Sequence, residues 1–347
     1  MLFVKSEKLN IAVIGASSMG LSHMKGVMNN ENANLIAVCD TDENALAEAK
    51  EKYDIPVAVT DYRQLVNLKD VDAVIIVTPD QLHLEMTAAF LRAGKHVLCE
   101  KPMALNTQEC EEMMRVQQET GNMLMIGQVC RCTPAFILAK EIVEIGRIGE
   151  LFFVESEYAH NYEKAEGKNS WRKTPERSGF IGGGCHAVDL LRWIAGDPTE
   201  VTAYSNHKCM IDWPTDDCTI GIYKFPNNVI GKVFVSTGCR RDYTMRTVLY
   251  GTKGTIICDN SSPEISLYTV DEPLPDGKVS YTKPQKLPVD INSHNVGAEI
   301  DLFVDALVNG KPSPVMPKEG ANTVAVCCAT VQSAAQDRTV TIEYPKV

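Results

Sequence analysis

Ile11-Ala12-Val13-Ile14-Gly15-Ala16-Ser17-Ser18-Met19-Gly20 is the stretch on which the fold reading turns. Four apolar residues with no polar alternation read as a strand covered on both faces. The strand runs into a loop with glycine at its first and last positions, and a helix is expected to follow. Gly15 permits the tight turn, and Gly20 lets helix and strand approach closely. In the Gly-x-Gly-x-x-Gly spacing a second glycine would stand at 17. Ser17 is small, and its hydroxyl is able to contact phosphate. The N–H groups at a helix start, with their partial positive charge, favour a pyrophosphate. Gly15, Ala16, Ser17, Ser18, Met19 and Gly20 are therefore candidate dinucleotide-binding residues. Asp40 ends the second apolar run, 35–39, and stands 20 positions after Gly20. A carboxylate there accepts hydrogen bonds from ribose hydroxyls and repels a 2′-phosphate, and Thr41 adds no positive charge. NAD is expected over NADP.

The same grammar repeats over residues 10–127. Apolar runs at 57–59, 73–77, 96–99 and 123–126 alternate with helical stretches at 42–52, 82–93 and 106–119. Within 82–93, Leu82, Met86, Ala89 and Phe90 fall at helical spacing, and Gly94 follows as a stop. Asn106 with Glu109 reads as a capping box, closed by Gly121. Repeated strand–helix units predict an α/β architecture, with an N-terminal doubly wound parallel Rossmann sheet over 1–128. Beyond that point the pattern changes. Residues 134–144 read as an amphipathic helix, and 151–158 alternate as a strand with one wet face. Pro226-Asn227-Asn228 joins runs 219–225 and 229–235 as a hairpin, and Gly251-Thr252-Lys253-Gly254 joins 246–250 to 255–258. Strands at 264–270 and 339–344 and helices at 187–195 and 320–335 follow. Residues 129–347 are expected to form a C-terminal α+β domain with a large, mostly antiparallel open sheet.

Lys plus Arg number 34 and Asp plus Glu 45, so the 347-residue chain carries a net charge of −11. That balance gives no general attraction to phosphate backbones or anionic lipid, so neither nucleic acid nor membrane is an expected partner. No apolar run reaches the ~18 residues of a membrane span, and residues 1–8 lack a signal-peptide pattern. A cytoplasmic protein is expected, with its 12 cysteines reduced. Cys130-Arg131-Cys132 and Cys327-Cys328 do not make a Cys-x-x-Cys pair, and no metal is expected.

Two further segments carry a recognisable pattern: Val77-Thr78-Pro79-Asp80-Gln81-Leu82-His83, and Ala93-Gly94-Lys95-His96-Val97-Leu98-Cys99-Glu100-Lys101-Pro102. With the loop, they resemble the glucose-fructose oxidoreductase/inositol dehydrogenase/MocA (Gfo/Idh/MocA) family. The likeness spans essentially the whole chain and is densest over 10–105 and 171–198. Its most specific part is Glu-Lys-Pro at a strand end; Asp80 replaces the family's usual Asn. Ligands gather at the carboxyl ends of strands in such a sheet, which adds Thr78, Pro79, His83, Glu100 and Lys101 to the cofactor-binding candidates. The resemblance implies that Lys101 is catalytic and touches substrate, its ammonium stabilising the alkoxide that forms as hydride leaves.

The run Ser178-Gly179-Phe180-Ile181-Gly182-Gly183-Gly184-Cys185-His186-Ala187-Val188-Asp189 resembles the family's glycine-rich entry into its active-site helix. His186 matches the family's histidine, the general base, and Asp189 the acid three residues later. On a helix the two share a face, so Asp189 is expected to orient or charge His186. Many sugar-oxidising relatives place an Asp four residues before this His, where this chain has Gly182. Either the Lys101–His186 pair suffices, or another residue completes the proton path, with Cys185, Tyr158 and Tyr162 as candidates. Gln128, Arg131, Trp171, Arg172 and Cys185, with Lys101 and His186, are the substrate-site candidates, Trp171 as a platform for a sugar face. The resemblance implies an NAD-dependent dehydrogenase oxidising a secondary hydroxyl of a sugar, glycoside, inositol or related polyol, assembled as a homodimer or homotetramer on the second domain's sheet. Two alternatives remain: an NAD-dependent glycosidase working through a transient ketone, and a non-catalytic NAD(P)-binding regulator. The presence of both Lys101 and His186 argues against the regulator.

Overall fold

The computed structural model describes residues 8–163, 171–270 and 283–346. Six strands, β1 (Leu9–Ile14), β2 (Ala33–Cys39), β3 (Val57–Val59), β4 (Ala73–Ile76), β5 (His96–Glu100) and β6 (Leu124–Gly127), form one sheet in the order β3-β2-β1-β4-β5-β6. Every pairing in it is parallel. Helices α1 (Ser18–Asn29), α2 (Glu43–Tyr53), α3 (Arg63–Val66), α4 (His83–Arg92) and α5 (Thr107–Thr120) connect the strands. Ile11–Ile14 and the whole of β4 are buried, which is why those runs are apolar without alternation. The helix starts follow the side chains that cap them. Asp42 accepts from the N–H groups of Asn44 and Ala45 to open α2, and Asn106 accepts from Glu109 N–H to open α5. The strand order reverses between β1 and β4, so the carboxyl ends of those strands flank the place where such sheets take ligands.

A second sheet has the order β14-β13-β12-β11-β7-β10-β9-β8-β15. Its strands are β7 (Leu151–Ala159), β8 (Glu200–Asn206), β9 (Cys218–Lys224), β10 (Ile230–Ser236), β11 (Thr244–Gly251), β12 (Gly254–Asp259), β13 (Glu264–Thr269), β14 (Gln285–Pro288) and β15 (Val340–Thr341). All its neighbours are antiparallel except β7 with β10. Both expected hairpins form, as β9–β10 and β11–β12. The strand expected over 339–344 contracts to Val340–Thr341, while β8 and β14 were not anticipated. Helices α6 (Pro134–Glu144), α7 (Gly179–Gly182) and α8 (Cys185–Ala195) precede or cover this sheet. Val154, Val233 and Val235 are buried on the face that α8 covers. The opposite face carries Tyr204, Ile222, Ile230 and Tyr250, exposed by 67, 44, 51 and 36%, beside ion pairs from Glu155 to Lys232 and Arg246.

The chain divides into two compact units: one through Val129 with Asn295–Ala321 and the residues from Pro345, the other Cys130–His294 with Asn322–Tyr344. A single cut near 128 with everything later in one domain is therefore corrected. Helix α9 (Val296–Val308) belongs to the first unit because it packs on α1. Gly26 makes room for it, since a Cβ there would lie 2.9 Å from Ile300 Cγ1. Asn30 Nδ2 donates to Asp301 at 2.6 Å, and Ile126 N–H donates to the Val315 carbonyl at 3.2 Å. The unit boundary after Ala321 falls within α10 (Pro317–Gln336). Among the described residues no helix is long and apolar enough to cross a membrane. The 12 cysteines are free thiols, most of them buried.

Candidate functional site

In the first unit the loop after β1 is held by its neighbours. Gly15 adopts φ 109°, a left-handed conformation, and a Cβ there would lie 2.4 Å from the Val77 carbonyl oxygen at the end of β4. No side chain fits that approach. A Cβ on Gly20 would meet the Gly15 carbonyl oxygen at 2.0 Å, so the first turn of α1 also rests on the loop. Ser17 occupies the N-cap of α1 in extended conformation, and its side chain makes no capping bond. The opening N–H groups of α1 are thus left to another acceptor. Asp40 is tied to the same loop: Ala16 N–H donates to Oδ2 at 2.6 Å and Asp42 N–H to Oδ1 at 2.9 Å. Each oxygen retains a lone pair for a further donor. A glycine cradle, an uncapped helix start and an anchored carboxylate fit a dinucleotide with the residues expected from sequence. Exposed Ser17 and Ser18 and half-buried Met19 line that cradle.

Five more candidates lie at or just beyond the ends of β4 and β5. Thr78 and Pro79 are half-buried. His83 is wholly buried, with Nδ1 2.8 Å from the Pro102 carbonyl and Nε2 3.2 Å from the Thr78 carbonyl. Both partners are pure acceptors, so the ring donates from both nitrogens only as imidazolium. Burial opposes that charge; the Cys99 sulfur, Asp80 and the Pro102 carbonyl outweigh it and raise the pKa to about 10. His83, expected as a cofactor contact, thus clasps the Thr78-Pro79 and Lys101-Pro102 turns together, the latter containing a cis peptide.

Glu100 is likewise buried. Its Oε1 meets His23 Nε2 at 2.8 Å, and its Oε2 accepts from Lys101 N–H at 3.1 Å. Burial pushes its pKa up, but His23 and Lys101 hold it at about 2. Glu299, on α9, completes the group: a ligand atom from each of His23, Glu100 and Glu299 lies within 4.8 Å of the others. Both carboxyl oxygens of Glu299 are buried, without a hydrogen-bond partner among the described residues. Burial, then the charge of Glu100, raises its pKa well above the ordinary carboxyl value. Lys101 follows directly on this group and is half-buried. The sequence reading missed His23 and Glu299; only helical spacing from α1 and α9 places them here. Gln128, one residue before the end of this unit's first segment, is 2% exposed, its Oε1 without a donor among the described residues.

In the second unit His186 sits in the first turn of α8, 2% exposed. Its Nδ1 is 3.1 Å from Cys130 Sγ. Its ring stacks on Tyr158 at 6.0 Å and lies 5.2 Å from the His294 ring. Tyr158 Oη is 2.8 Å from Tyr162 Oη and 3.0 Å from His160 Nδ1, and Tyr243 Oη is 2.9 Å from His294 Nε2. Asp189 does not serve His186 as expected. Its carboxylate, wholly buried, takes two bonds from Arg131 at 2.8 and 2.7 Å and one from the Thr323 hydroxyl at 3.1 Å. Arg131, read as a substrate contact, is thereby also the partner of Asp189. Cys185, another substrate-site candidate, is fully buried, with Sγ toward the Gly182 and Gly183 carbonyls at 3.8 and 4.0 Å.

The missing acid at 182 has a physical explanation. A Cβ on Gly182 would lie 2.1–2.4 Å from Cζ, Nη1 and Nη2 of the Arg177 guanidinium. Arg177, 2% exposed, fills the space an Asp side chain would need. Trp171 carries two guanidinium groups near its ring, Arg172 at 4.6 Å and Arg177 at 4.7 Å. That leaves Trp171 and Arg172 half-buried in a cationic, aromatic corner.

Comparison with known proteins agrees with this layout. Residues 9–128 match the model of the oxidoreductase family with an NAD-binding Rossmann fold, and residues 136–257 match the GFO/IDH/MocA C-terminal domain. Inositol 2-dehydrogenase of Rhizobium meliloti (strain 1021) is 28% identical over 347 residues, covering 96% of this chain and 99% of that one. Among solved structures, an oxidoreductase domain protein from Kribbella flavida superposes with a TM-score of 0.87 at 25% identity, over 97% of this chain and 100% of that one. Levoglucosan dehydrogenase in complex with NADH shares the fold, with a TM-score of 0.86 at 24% identity over 97% and 100%. Since the two family models together span more than half of the sequence, the chain belongs to the GFO/IDH/MocA family of oxidoreductases.

Proposed function

We propose that the protein is an NAD-dependent dehydrogenase that oxidises a secondary hydroxyl of a sugar, inositol or related polyol. The observation that carries the reading is the dinucleotide cradle: Gly15 against Val77, the uncapped start of α1, and Asp40 pinned by two backbone N–H groups. Gly15 to Gly20 would hold the pyrophosphate, and Asp40 the adenosine ribose; its charge and the neutral Thr41 favour NAD over NADP. When bound, the nicotinamide accepts the hydride from the substrate's carbinol carbon. Lys101 holds the substrate hydroxyl and steadies the oxyanion that develops on it. His186 takes up the hydroxyl proton. Asp189 acts at one remove, fixing Arg131. Inositol and levoglucosan dehydrogenases among the similar proteins support a polyhydroxylated substrate. The exposed apolar residues on the uncovered face of the second sheet support self-association there.

The test is a spectrophotometric screen of NAD and NADP reduction over inositols, aldoses, glycosides and sugar acids. NADH accumulation with at least one polyol, and weaker NADPH accumulation, is expected. In Lys101→Met, NAD binding persists while turnover falls by orders of magnitude. Binding of NAD with no reduction across the panel overturns the dehydrogenase, and released sugar without NADH replaces it with the glycosidase.

A further inference from the structure

The imidazole of His186 stands among soft ligand atoms. Cys130 Sγ is 3.1 Å from its Nδ1. A donor atom from each of Cys130, His186 and His294 lies within 4.8 Å of the other two, and the Met245 thioether is 3.6 Å from the same thiol. Cys130, His186 and Met245 are buried, and His294 is half-buried. The three come from distant parts of the second unit: the turn ahead of α6, the first turn of α8, and the segment ending at His294. Around them, the Tyr243 hydroxyl is bonded to His294 Nε2 at 2.9 Å and so orients that ring. Outer partners of this kind are what a ligating histidine needs.

We propose that Cys130, His186 and His294 form a binding site for a thiophilic divalent cation, zinc above all. A tetrahedral zinc with Zn–S of about 2.3 Å and Zn–N of about 2.0 Å separates sulfur from nitrogen by about 3.5 Å, and nitrogen from nitrogen by about 3.3 Å. Cys130 Sγ and His186 Nδ1 are 3.1 Å apart and the three donors lie within 4.8 Å of one another, so small side-chain rotations bring them to that geometry. One thiolate with two imidazoles selects zinc or its neighbours and disfavours magnesium and calcium, which take oxygen ligands. On binding, the Cys130 thiol loses its proton to solvent and both imidazoles ligate in neutral form. Three protein ligands leave a fourth position for water. The binding site stands whether or not His186 is the base. If it is, zinc immobilises that base and acts as an inhibitor that chelation reverses.

The full-length chain is titrated with cobalt(II), the optical stand-in for zinc. The expected result is a thiolate-to-cobalt charge-transfer band that saturates at a single equivalent and disappears when zinc is added. The band is absent in Cys130→Ser, weakened in His294→Gln, and unchanged in Cys209→Ser, which removes the exposed thiol. Crystals soaked in zinc give an anomalous peak, recorded at the zinc edge, among the three side chains. A wild-type protein without a stoichiometric band, a band that survives Cys130→Ser, or an anomalous peak elsewhere overturns the site. NAD-linked turnover measured in parallel is a separate readout: zinc bound at the triad with turnover intact keeps the metal site and removes His186 from the proposed reaction.

Discussion

Asp189→Asn is expected to destabilise the second unit by about 3–5 kcal/mol, the range for breaking a buried ion pair from one side. The Asp189 side chain is 0% exposed and that of Arg131 10%. Their two hydrogen bonds, at 2.8 and 2.7 Å, are charge-assisted and contribute about 1.5–3 kcal/mol each. Asparagine keeps one acceptor oxygen and so preserves about one bond in weaker form. The guanidinium then lies largely desolvated without its counter-charge, which supplies the rest of the loss. Arg192, 4.0 Å from the same carboxylate, keeps its pair with Asp197 and does not compensate. Urea unfolding followed by tryptophan fluorescence measures this locally. All three tryptophans, Trp171, Trp193 and Trp213, lie in the second unit, and the Trp193 ring is 5.7 Å from the Arg131 guanidinium. Asp189→Leu combined with Arg131→Met should recover most of the loss, because an apolar pair of similar volume needs no desolvation. A loss below about 1 kcal/mol in Asp189→Asn, with NAD-linked turnover abolished, would refute the reasoning and return Asp189 to service of His186.

Gly182→Asp alone drives a side chain into the Arg177 guanidinium; thermal unfolding at lower temperature and no gain in turnover are expected, whereas Gly182→Asp with Arg177→Ala accepts the acid and outperforms Arg177→Ala in kcat. Glu299→Gln tests the buried acid pair. Burial and Glu100 raise the Glu299 pKa, so the folded state binds that proton more tightly than the unfolded one, and stability falls as pH rises above the ordinary carboxyl value of 4.5 toward the raised value. Thermal unfolding across that span should show the wild type losing stability with rising pH and the glutamine variant holding a flatter profile; parallel profiles would refute the protonated acid. Glu100 behaves oppositely: its stabilisation is present above 4.5 and is lost as pH falls toward about 2, which an acid-unfolding comparison of wild type with Glu100→Gln reads as a reduced slope.

The first sheet was legible because two of its determinants are local. Continuous apolar runs declare strands covered on both faces, and Asn106 and Gly121 mark the ends of α5. The loop from Gly15 to Gly20 was readable for the same reason: its glycines are forced by backbone approach at Val77 and at Gly15 itself. Strand β8 escaped notice although Glu200–Asn206 alternates, because it lacks a turn signal of the kind that marked β9–β10. Helix α9 escaped too, despite Val296, Ile300, Phe303 and Val304 at helical spacing, and with it went Glu299. Helical spacing put Asp189 on the face of His186, but a three-residue offset does not say which neighbour takes the carboxylate. The competing cation, Arg131, is 58 residues away. Arg177 stands close to Gly182 along the chain, but nothing in the sequence says that its guanidinium folds back onto that glycine; the same distance problem hid the meeting of Cys130 with His186, 56 residues apart. Sequence spacing registers partners that neighbour one another along the chain, and neither Arg131 and Asp189 nor Cys130 and His186 do.

Helix α9 closes on α1 at Gly26 and delivers Glu299 beside Glu100, yet it is made after almost everything else in the polypeptide. The dinucleotide-binding half therefore cannot mature as the ribosome releases it. Its strands are able to pair early, but its seal arrives only after the whole of the other half has been synthesised. Until then Gly26 lacks Ile300 against it, Asn30 lacks Asp301, and His23 and Glu100 lack the acid that completes their group. A fragment ending near residue 128, though it carries every residue of the phosphate loop, should be prone to aggregation during synthesis and should need chaperones or a co-expressed 295–321 segment to persist.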